Sequence, residues 1–215
     1  FALEMAIARI RQLSAHEIGH TLGFAHNFAA STNNRASVMD YPHPKFTLND
    51  GKIDFSDAYD TKIGAWDKVI VAYAYQDFSK DKNEEEELNT ILENAFATGL
   101  KYLSDSDARP KGSASSSAHL WDNGGNIHDE LYNVLKIRRI AIDNFSADNI
   151  KIGQPYSLLE DVFVPLYFLH RFQTEATVKL IGGLDYSYAV KGGAQTIVKR
   201  VSGITERIAL QAVLK

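Results

Sequence analysis

Apolar residues recur along this chain at intervals of three and four positions, which is the spacing of one face of an α-helix. The recurrence predicts helices over residues 3–22, 57–78, 83–103 (with Asn83 as N-cap), 126–145, 157–181 and 205–214. Residues 27–56 interrupt it with prolines, paired asparagines and the turn signal Asn49-Asp50-Gly51, so they are predicted to be loop. A short strand is predicted at residues 186–191. The fold class that follows from this pattern is mainly α.

A long polar segment, residues 104–125, separates two groups of predicted helices. Its carboxylates Asp105, Asp107 and Asp122 could supply oxygen ligands to a calcium ion. Their spacing matches no calcium-binding loop, however, so turn and cap roles are favoured for them. Trp121 is expected to pin this polar segment to the body of the protein.

Composition limits the classes of partner. The 215 residues are 45% hydrophobic and 23% charged, which is sufficient for one large or two small cores. The net charge of −4 gives no electrostatic reason to invoke nucleic acid or an anionic membrane as a partner. The longest apolar run, VIVAYAY, is too short to span a bilayer. The chain has no cysteine, which excludes disulfides and thiolate zinc ligands and is compatible with a reducing compartment or with bacterial secretion.

The segment HEIGHTLGFAH carries the strongest chemical signal. His16 and His20 are four residues apart and therefore project from the same face of the first predicted helix. Gly23 is the residue type that ends helices in a left-handed conformation, and the turn that it permits brings His26 back towards the other two. Three imidazoles leave the fourth corner of a tetrahedral zinc site open, which indicates a catalytic site. Glu17 lies about 100° further round the helix, where it can act on water beside the metal.

The alternative interpretation of this segment is a surface helix that carries histidines by chance. Five fixed positions of this kind have odds of about 10⁻⁵ in a chain of this length, which favours the zinc site. The four other histidines considered are His43, His119, His128 and His170. A helix histidine such as His170 could reach the zinc or the substrate, but a lone one is more often a packing residue, and we expect packing roles for all four.

The pattern matches the HExxHxxGxxH signature of the metzincin metalloproteases. A second match is SVMDYP (residues 37–42), which resembles their Met-turn, with the thioether of Met39 as an adaptable floor under the imidazoles. Tyr41 resembles the Met-turn tyrosine of the astacin and serralysin branches, and this resemblance implies that Tyr41 helps to stabilise the oxyanion. Asn27, which follows the third histidine, departs from the residue types of the familiar branches.

The segments HEIGHTLGFAHNF, SVMDYP and LHRFQTEATVKLIGGLDY together resemble a group of large bacterial zinc-dependent metalloproteases. The resemblance implies the C-terminal part of a metzincin-like α+β catalytic domain, followed by a helical region. Residues 1–103 would form the zinc-site half of that domain, and residues 104–215 a helical extension packed on it. The N-terminal sheet is absent from this chain, so the missing N-terminal part of the same protein is an expected partner. It would cover an apolar stripe at Leu3, Ile7 and Ile10.

The predicted function is that of a zinc-dependent endopeptidase acting on peptides or proteins. His16, His20 and His26 would bind Zn²⁺, Glu17 would be the general base, and Tyr41 would assist. The resemblance implies a secreted, periplasmic or cell-envelope location. One alternative is an inactive zinc-containing binding module of a larger surface protein, against which the intact Glu17 argues. Another is hydrolysis of a non-peptide amide, which the motif does not exclude.

Overall fold

The computed structural model describes residues 2–215 and is mainly helical, as the sequence predicted. In this range the α-helices are α1 (Ala2–Thr21), α2 (Ala65–Tyr75), α3 (Glu84–Ala97), α4 (Asp105–Ala108), α5 (Ile127–Asp143), α6 (Leu158–Tyr167), α7 (Arg171–Val178) and α8 (Gly203–Val213). Short 3₁₀ helices cover Ala30–Asn33 and Ala147–Asn149. Strands β1 (Thr47–Asn49) and β2 (Lys52–Asp54) pair antiparallel, as do β3 (Leu184–Tyr186) and β4 (Val198–Arg200). None of the described helices is both long and apolar enough to span a membrane.

The start of the helix capped by Asn83 is confirmed, because the Asn83 side chain accepts a hydrogen bond from the backbone N–H of Glu85. Its predicted end at residue 103 is wrong, since α3 ends at Ala97. Two other predicted boundaries are wrong. Helix α2 begins later than predicted, at Ala65, where Asp67 accepts from the backbone N–H of Gly64. The helix predicted over 157–181 is divided between α6 and α7; Pro165, which cannot donate a backbone hydrogen bond, lies just before the break.

The loop predicted over residues 27–56 contains a hairpin. Asp50 and Gly51 have φ values of 50° and 76°, and Asn49 pairs directly with Lys52. Positive φ at both central residues is the conformation of a type I′ turn, which joins antiparallel strands with two residues. The predicted strand at 186–191 is displaced, since β3 ends at Tyr186, and its partner β4 was not predicted.

Contacts cross the predicted domain boundary at residues 103 and 104. Phe28, Ala29, Leu103 and Ala118 form one buried cluster. The backbone N–H of Trp121 donates across the boundary to the carbonyl of Tyr41 at 2.8 Å. The division into two units stays a prediction, but the segment that follows the third histidine shares this core with both of them.

Helix α1 is buried on one side only. Gln12, His16 and Gly19, spaced four and three residues apart, are buried against the rest of the chain. The predicted apolar stripe lies on the exposed surface, with Leu3 72% and Ile10 62% exposed. The face of α1 that carries the candidate ligand His16 is therefore the face that anchors the helix. Coverage of the exposed stripe by another part of the protein stays a prediction.

Two carboxylates, Asp40 of the Met-turn and Asp122, are buried together. Ser31 joins them, because its backbone N–H donates to Asp40 at 3.1 Å and its hydroxyl donates to Asp122 at 2.8 Å. Oδ1 of Asp122 has no hydrogen-bond partner among the described residues. Burial raises the pKa of Asp122 to about 7. Burial, and next the charge of Asp122, raise the pKa of Asp40 well above its ordinary value. Two further charges act on Asp122: the positive charge of Lys179 lowers its pKa, and the negative charge of Glu130 raises it.

The raised pKa values of Asp40 and Asp122 predict that the stability of the fold depends on pH. The native pKa of Asp122 lies above that of the unfolded chain, so the folded state binds more protons, and stability is lost as the pH rises from about 4 to about 7. Asp122→Asn, which resembles the protonated acid, should reduce this loss and unfold at higher urea than the parent at pH 8. Urea unfolding between pH 4 and 8 measures how the free energy of unfolding changes with pH. Asp77→Asn, at an exposed position, is the control. A parental slope in Asp122→Asn would contradict the expectation.

Candidate metal centre

The turn after α1 has the geometry that the glycine in the motif predicted. Gly23 has φ of 87°, and its N–H donates to the carbonyl of His20 at 3.0 Å. The N–H of Phe24 reaches back to the carbonyl of Gly19, also at 3.0 Å. These two hydrogen bonds define a Schellman motif, in which a left-handed residue ends the helix and reverses the chain. The reversal carries His26 to the face of α1 that holds the other two histidines.

The three predicted ligands are brought together. One ligand atom from each of His16, His20 and His26 lies within 4.8 Å of the other two. Nε2 of His20 and Nε2 of His26 are 3.2 Å apart. Zn–N bonds of about 2.1 Å in a tetrahedral site place neighbouring nitrogens about 3.4 Å apart. The spacing between these two imidazoles therefore suits a zinc ion.

Hydrogen bonds on the outer side of each ring assign the protons. Nδ1 of His16 lies 2.7 Å from the carbonyl of Val38, and Nδ1 of His20 lies 2.9 Å from the carbonyl of Phe24. Nδ1 of His26 lies 2.8 Å from a carboxylate oxygen of Asp105. A carbonyl or ionised carboxylate only accepts, so each neutral ring carries its proton on Nδ1 and keeps a lone pair on Nε2.

This assignment makes the cluster suitable for binding a cation. Nε2 of His16 is buried and has no hydrogen-bond partner among the described residues. Burial lowers the pKa of His16, which favours the neutral imidazole that a metal requires. Three converging lone pairs repel one another unless a positive charge lies between them, and imidazole nitrogen is a preferred zinc ligand. The donor set thus fits Zn²⁺ with three protein ligands.

The Met-turn is fixed from behind by Asp67 of α2. One oxygen of Asp67 accepts from the Ser37 hydroxyl at 2.5 Å, and the other accepts from the backbone N–H of Val38 at 2.9 Å. The carbonyl of Val38 is the group that accepts the hydrogen bond from Nδ1 of His16. Asp67 is buried and therefore holds, through the single residue Val38, the orientation of the first candidate ligand.

Met39 packs against α1 at Gly19, a residue without a side chain. A Cβ atom added to Gly19 would lie 2.2 Å from Sδ of Met39, which is a severe overlap. Gly19 lies between His16 and His20, so the thioether passes directly below the first two ligands. Met39 is 1% exposed, in agreement with the predicted role as a floor of the site.

Gly19→Ala should therefore lower stability, although alanine improves helix propensity by about 1 kcal/mol. Overpacking a buried site costs about 1–3 kcal/mol, so we expect a net loss in the free energy of unfolding by urea. In a Met39→Ala background the clash is absent, and the same Gly19→Ala change should be neutral or stabilising. An equal loss in both backgrounds would show that the two residues are not coupled.

Tyr41 and Glu17 occupy different positions at the site. The Tyr41 ring centroid lies 4.5 Å from that of His16 and 5.0 Å from that of His26. Glu17 is exposed on α1 and makes no hydrogen bond to residues 2–215, although its charge acts on His16. Tyr41 thus contacts two of the candidate ligands, whereas the exposed carboxylate of Glu17 is accessible to a substrate or to water.

The contacts of Trp121 confirm the prediction that this residue attaches the polar segment to the body of the protein. Its ring centroid is 5.4 Å from that of Tyr41, and its backbone N–H donates to the Tyr41 carbonyl at 2.8 Å. Trp121 has φ of 59°, an unusual conformation for a bulky residue. The segment 104–125 is therefore attached beside the histidine cluster.

Sequence reasoning missed the roles of Asn27 and Asp105. Asn27 is fully buried; its amide donates to the Lys101 carbonyl at 2.8 Å, and its backbone N–H donates to the Met39 carbonyl at 2.9 Å. Turn and cap roles are wrong for Asp105 and Asp122, because their side chains bond the distant residues His26 and Ser31. The local sequence holds no signal for these pairings, which arise from contacts between segments far apart.

The remaining histidines take no part in the described metal cluster. His43 is half-buried, and its ring contacts Asn123 and Gln173. His119 is buried, and burial lowers its pKa to about 3. These environments agree with packing roles.

A family model described as Met-zincin matches residues 1–215. No curated protein and no solved structure matches the chain.

Proposed function

Since the chain belongs to the Met-zincin family, we propose that it contains the zinc centre of an endopeptidase that hydrolyses peptide bonds in proteins or peptides. The observation that carries the proposal is the convergence of one nitrogen from each of three imidazoles whose Nδ1 atoms all bond oxygen acceptors. A closed structural zinc site has four protein ligands, whereas this one offers three and leaves a position for catalysis.

His16, His20 and His26 would hold the ion as neutral ligands. Bound zinc would supply an acidified water and a polarised substrate carbonyl. Glu17 follows the first ligand on α1 and is exposed, so its carboxylate can take the proton of the attacking water and deliver it to the leaving amine.

Tyr41 would act on the carbonyl oxygen of the scissile peptide bond. Its ring lies tilted against two of the candidate ligands, and its hydroxyl makes no hydrogen bond to the described chain, so it can donate to a developing oxyanion. Its contact with Trp121 fixes the ring from behind. A secreted, periplasmic or cell-envelope location is part of the proposal and rests on the sequence resemblance.

The test is metal analysis and proteolysis with the purified full-length protein. We expect about one zinc per chain, and cleavage of casein that 1,10-phenanthroline abolishes and added Zn²⁺ restores. Tight zinc without cleavage of casein or of a mixed peptide library would favour the inactive binding module. Cleavage confined to small non-peptide amides would favour the amidase alternative, and absence of zinc would overturn the proposal.

A further inference from the structure

His26, the third proposed ligand, differs from the other two in the kind of group that accepts a hydrogen bond from its Nδ1. His16 and His20 are oriented by backbone carbonyls of nearby segments, those of Val38 and Phe24. His26 is oriented by a side chain, because its Nδ1 lies 2.8 Å from Oδ2 of Asp105. Asp105 is the first residue of α4 and is 79 residues away in the sequence. The ligand set is therefore completed from outside the segment that contains the zinc motif.

Asp105 is itself held in place by Arg109. The guanidinium Nε of Arg109, one helical turn further along, donates to Oδ1, the oxygen that does not face His26. The same guanidinium lies over the ring of Phe28, with Cζ 5.6 Å from the centroid, and this ring lies 5.1 Å from that of His26. Arg109, Asp105, His26 and Phe28 thus form a closed ring of contacts. Oδ1 of Asp105 accepts from Arg109, and Oδ2 accepts from His26 and, at 3.3 Å, from the hydroxyl of Ser104, so both oxygens are held and the plane of the carboxylate is fixed.

We propose that Asp105 is a positioning residue that fixes the tautomer and orientation of His26 for metal binding, with Arg109 holding its carboxylate. The proposal rests on the proposed zinc centre. A carboxylate that accepts from the outer nitrogen of a ligating histidine keeps the proton away from the metal side and makes the ring a stronger donor. Removal of such a partner typically weakens metal binding by 10- to 100-fold.

Asp107 provides a matched control in the same short helix. It is half-buried like Asp105, but its carboxylate accepts from the hydroxyls of Tyr186 and Tyr188 instead of a metal ligand. Asp105→Ala and Asp107→Ala therefore remove the same charge and the same volume from α4. Only the first removes the acceptor of His26.

The experiment measures the zinc dissociation constant of the full-length protein by competition with a chromophoric chelator. Asp105→Ala should raise it by about 10- to 100-fold, whereas Asp107→Ala should leave it within about 2-fold of the parent. Asp105→Asn retains an amide oxygen that can accept from Nδ1, so it should recover much of the affinity. In the Co²⁺-substituted protein, the visible absorption bands should change for Asp105→Ala and not for Asp107→Ala.

Parental zinc affinity and an unchanged cobalt spectrum in Asp105→Ala would overturn the positioning role and leave the proposed peptidase intact. Equal losses in both alanine variants would also overturn it, since they would indicate a general weakening of α4. A selective loss in Asp105→Ala would support the role even if the parent protein cleaved no peptide, so the two proposals fail separately. A parent protein without zinc affinity would overturn both.

Discussion

Replacing Glu17 by glutamine is expected to lower kcat for peptide cleavage by about 10²- to 10⁴-fold, which is the usual contribution of a general acid–base group. The expected zinc content stays at the parental level. Glutamine has nearly the same shape as glutamate and keeps one carbonyl oxygen, but it cannot take up a proton. Because Glu17 is exposed and forms no hydrogen bond within residues 2–215, the substitution leaves the described packing intact.

The measurement pairs kcat and KM on a fluorogenic peptide with metal analysis of the same samples. Glu93→Gln is a matched control, because it makes the same chemical change at an exposed position of α3. Parental kcat in Glu17→Gln would show that another group is the base. A variant that lost zinc as well as activity would instead assign Glu17 a part in metal binding.

The clustering of His16, His20 and His26 could be predicted from the sequence because its geometry is local. Two histidines four residues apart on a helix share a face whatever surrounds them. Gly23 sets the path to His26 by one backbone conformation, and its φ of 87° is the value that the motif requires. The information for the inner part of the site is thus contained in eleven consecutive residues.

The residues that orient these ligands could not be predicted in the same way. Asp67 reaches the Met-turn from α2, and Asp105 reaches His26 from beyond the predicted domain boundary. Aspartate in a polar loop is far more often a turn or cap residue, so its local sequence favoured the wrong role for Asp105. Only the folded arrangement of distant segments distinguishes it from Asp107.

The fold shows a similar division. Long amphipathic segments such as α1 and α5 were predicted nearly to their ends, because many residues contribute to their periodicity. The β1–β2 hairpin was missed although Asp50 and Gly51 are typical of its turn, since strands of three residues have too few positions to show alternation.

Removing a ligand is expected to have the largest effect on the protein as a whole. A bound ion stabilises the folded state by about 4 kcal/mol when free zinc is a thousand times its dissociation constant. For a chain of this size, that corresponds to a melting temperature about 8–16 °C higher than that of the metal-free protein. His16→Ala, His20→Ala and His26→Ala should each lose the zinc and, with it, this difference.

The decisive quantity is the change in melting temperature on adding a chelator, because it separates loss of metal from loss of packing. His16 is 1% exposed, so its replacement also leaves a cavity and lowers the melting temperature in either condition. His20 and His26 are less buried, and their alanine variants should melt close to the metal-free parent. His128→Ala on α5 is the matched control and should keep both the zinc and the full chelator-dependent shift. If all three ligand variants retained zinc and that shift, the metal would be bound elsewhere, since no arrangement of the remaining two imidazoles reproduces a three-nitrogen site.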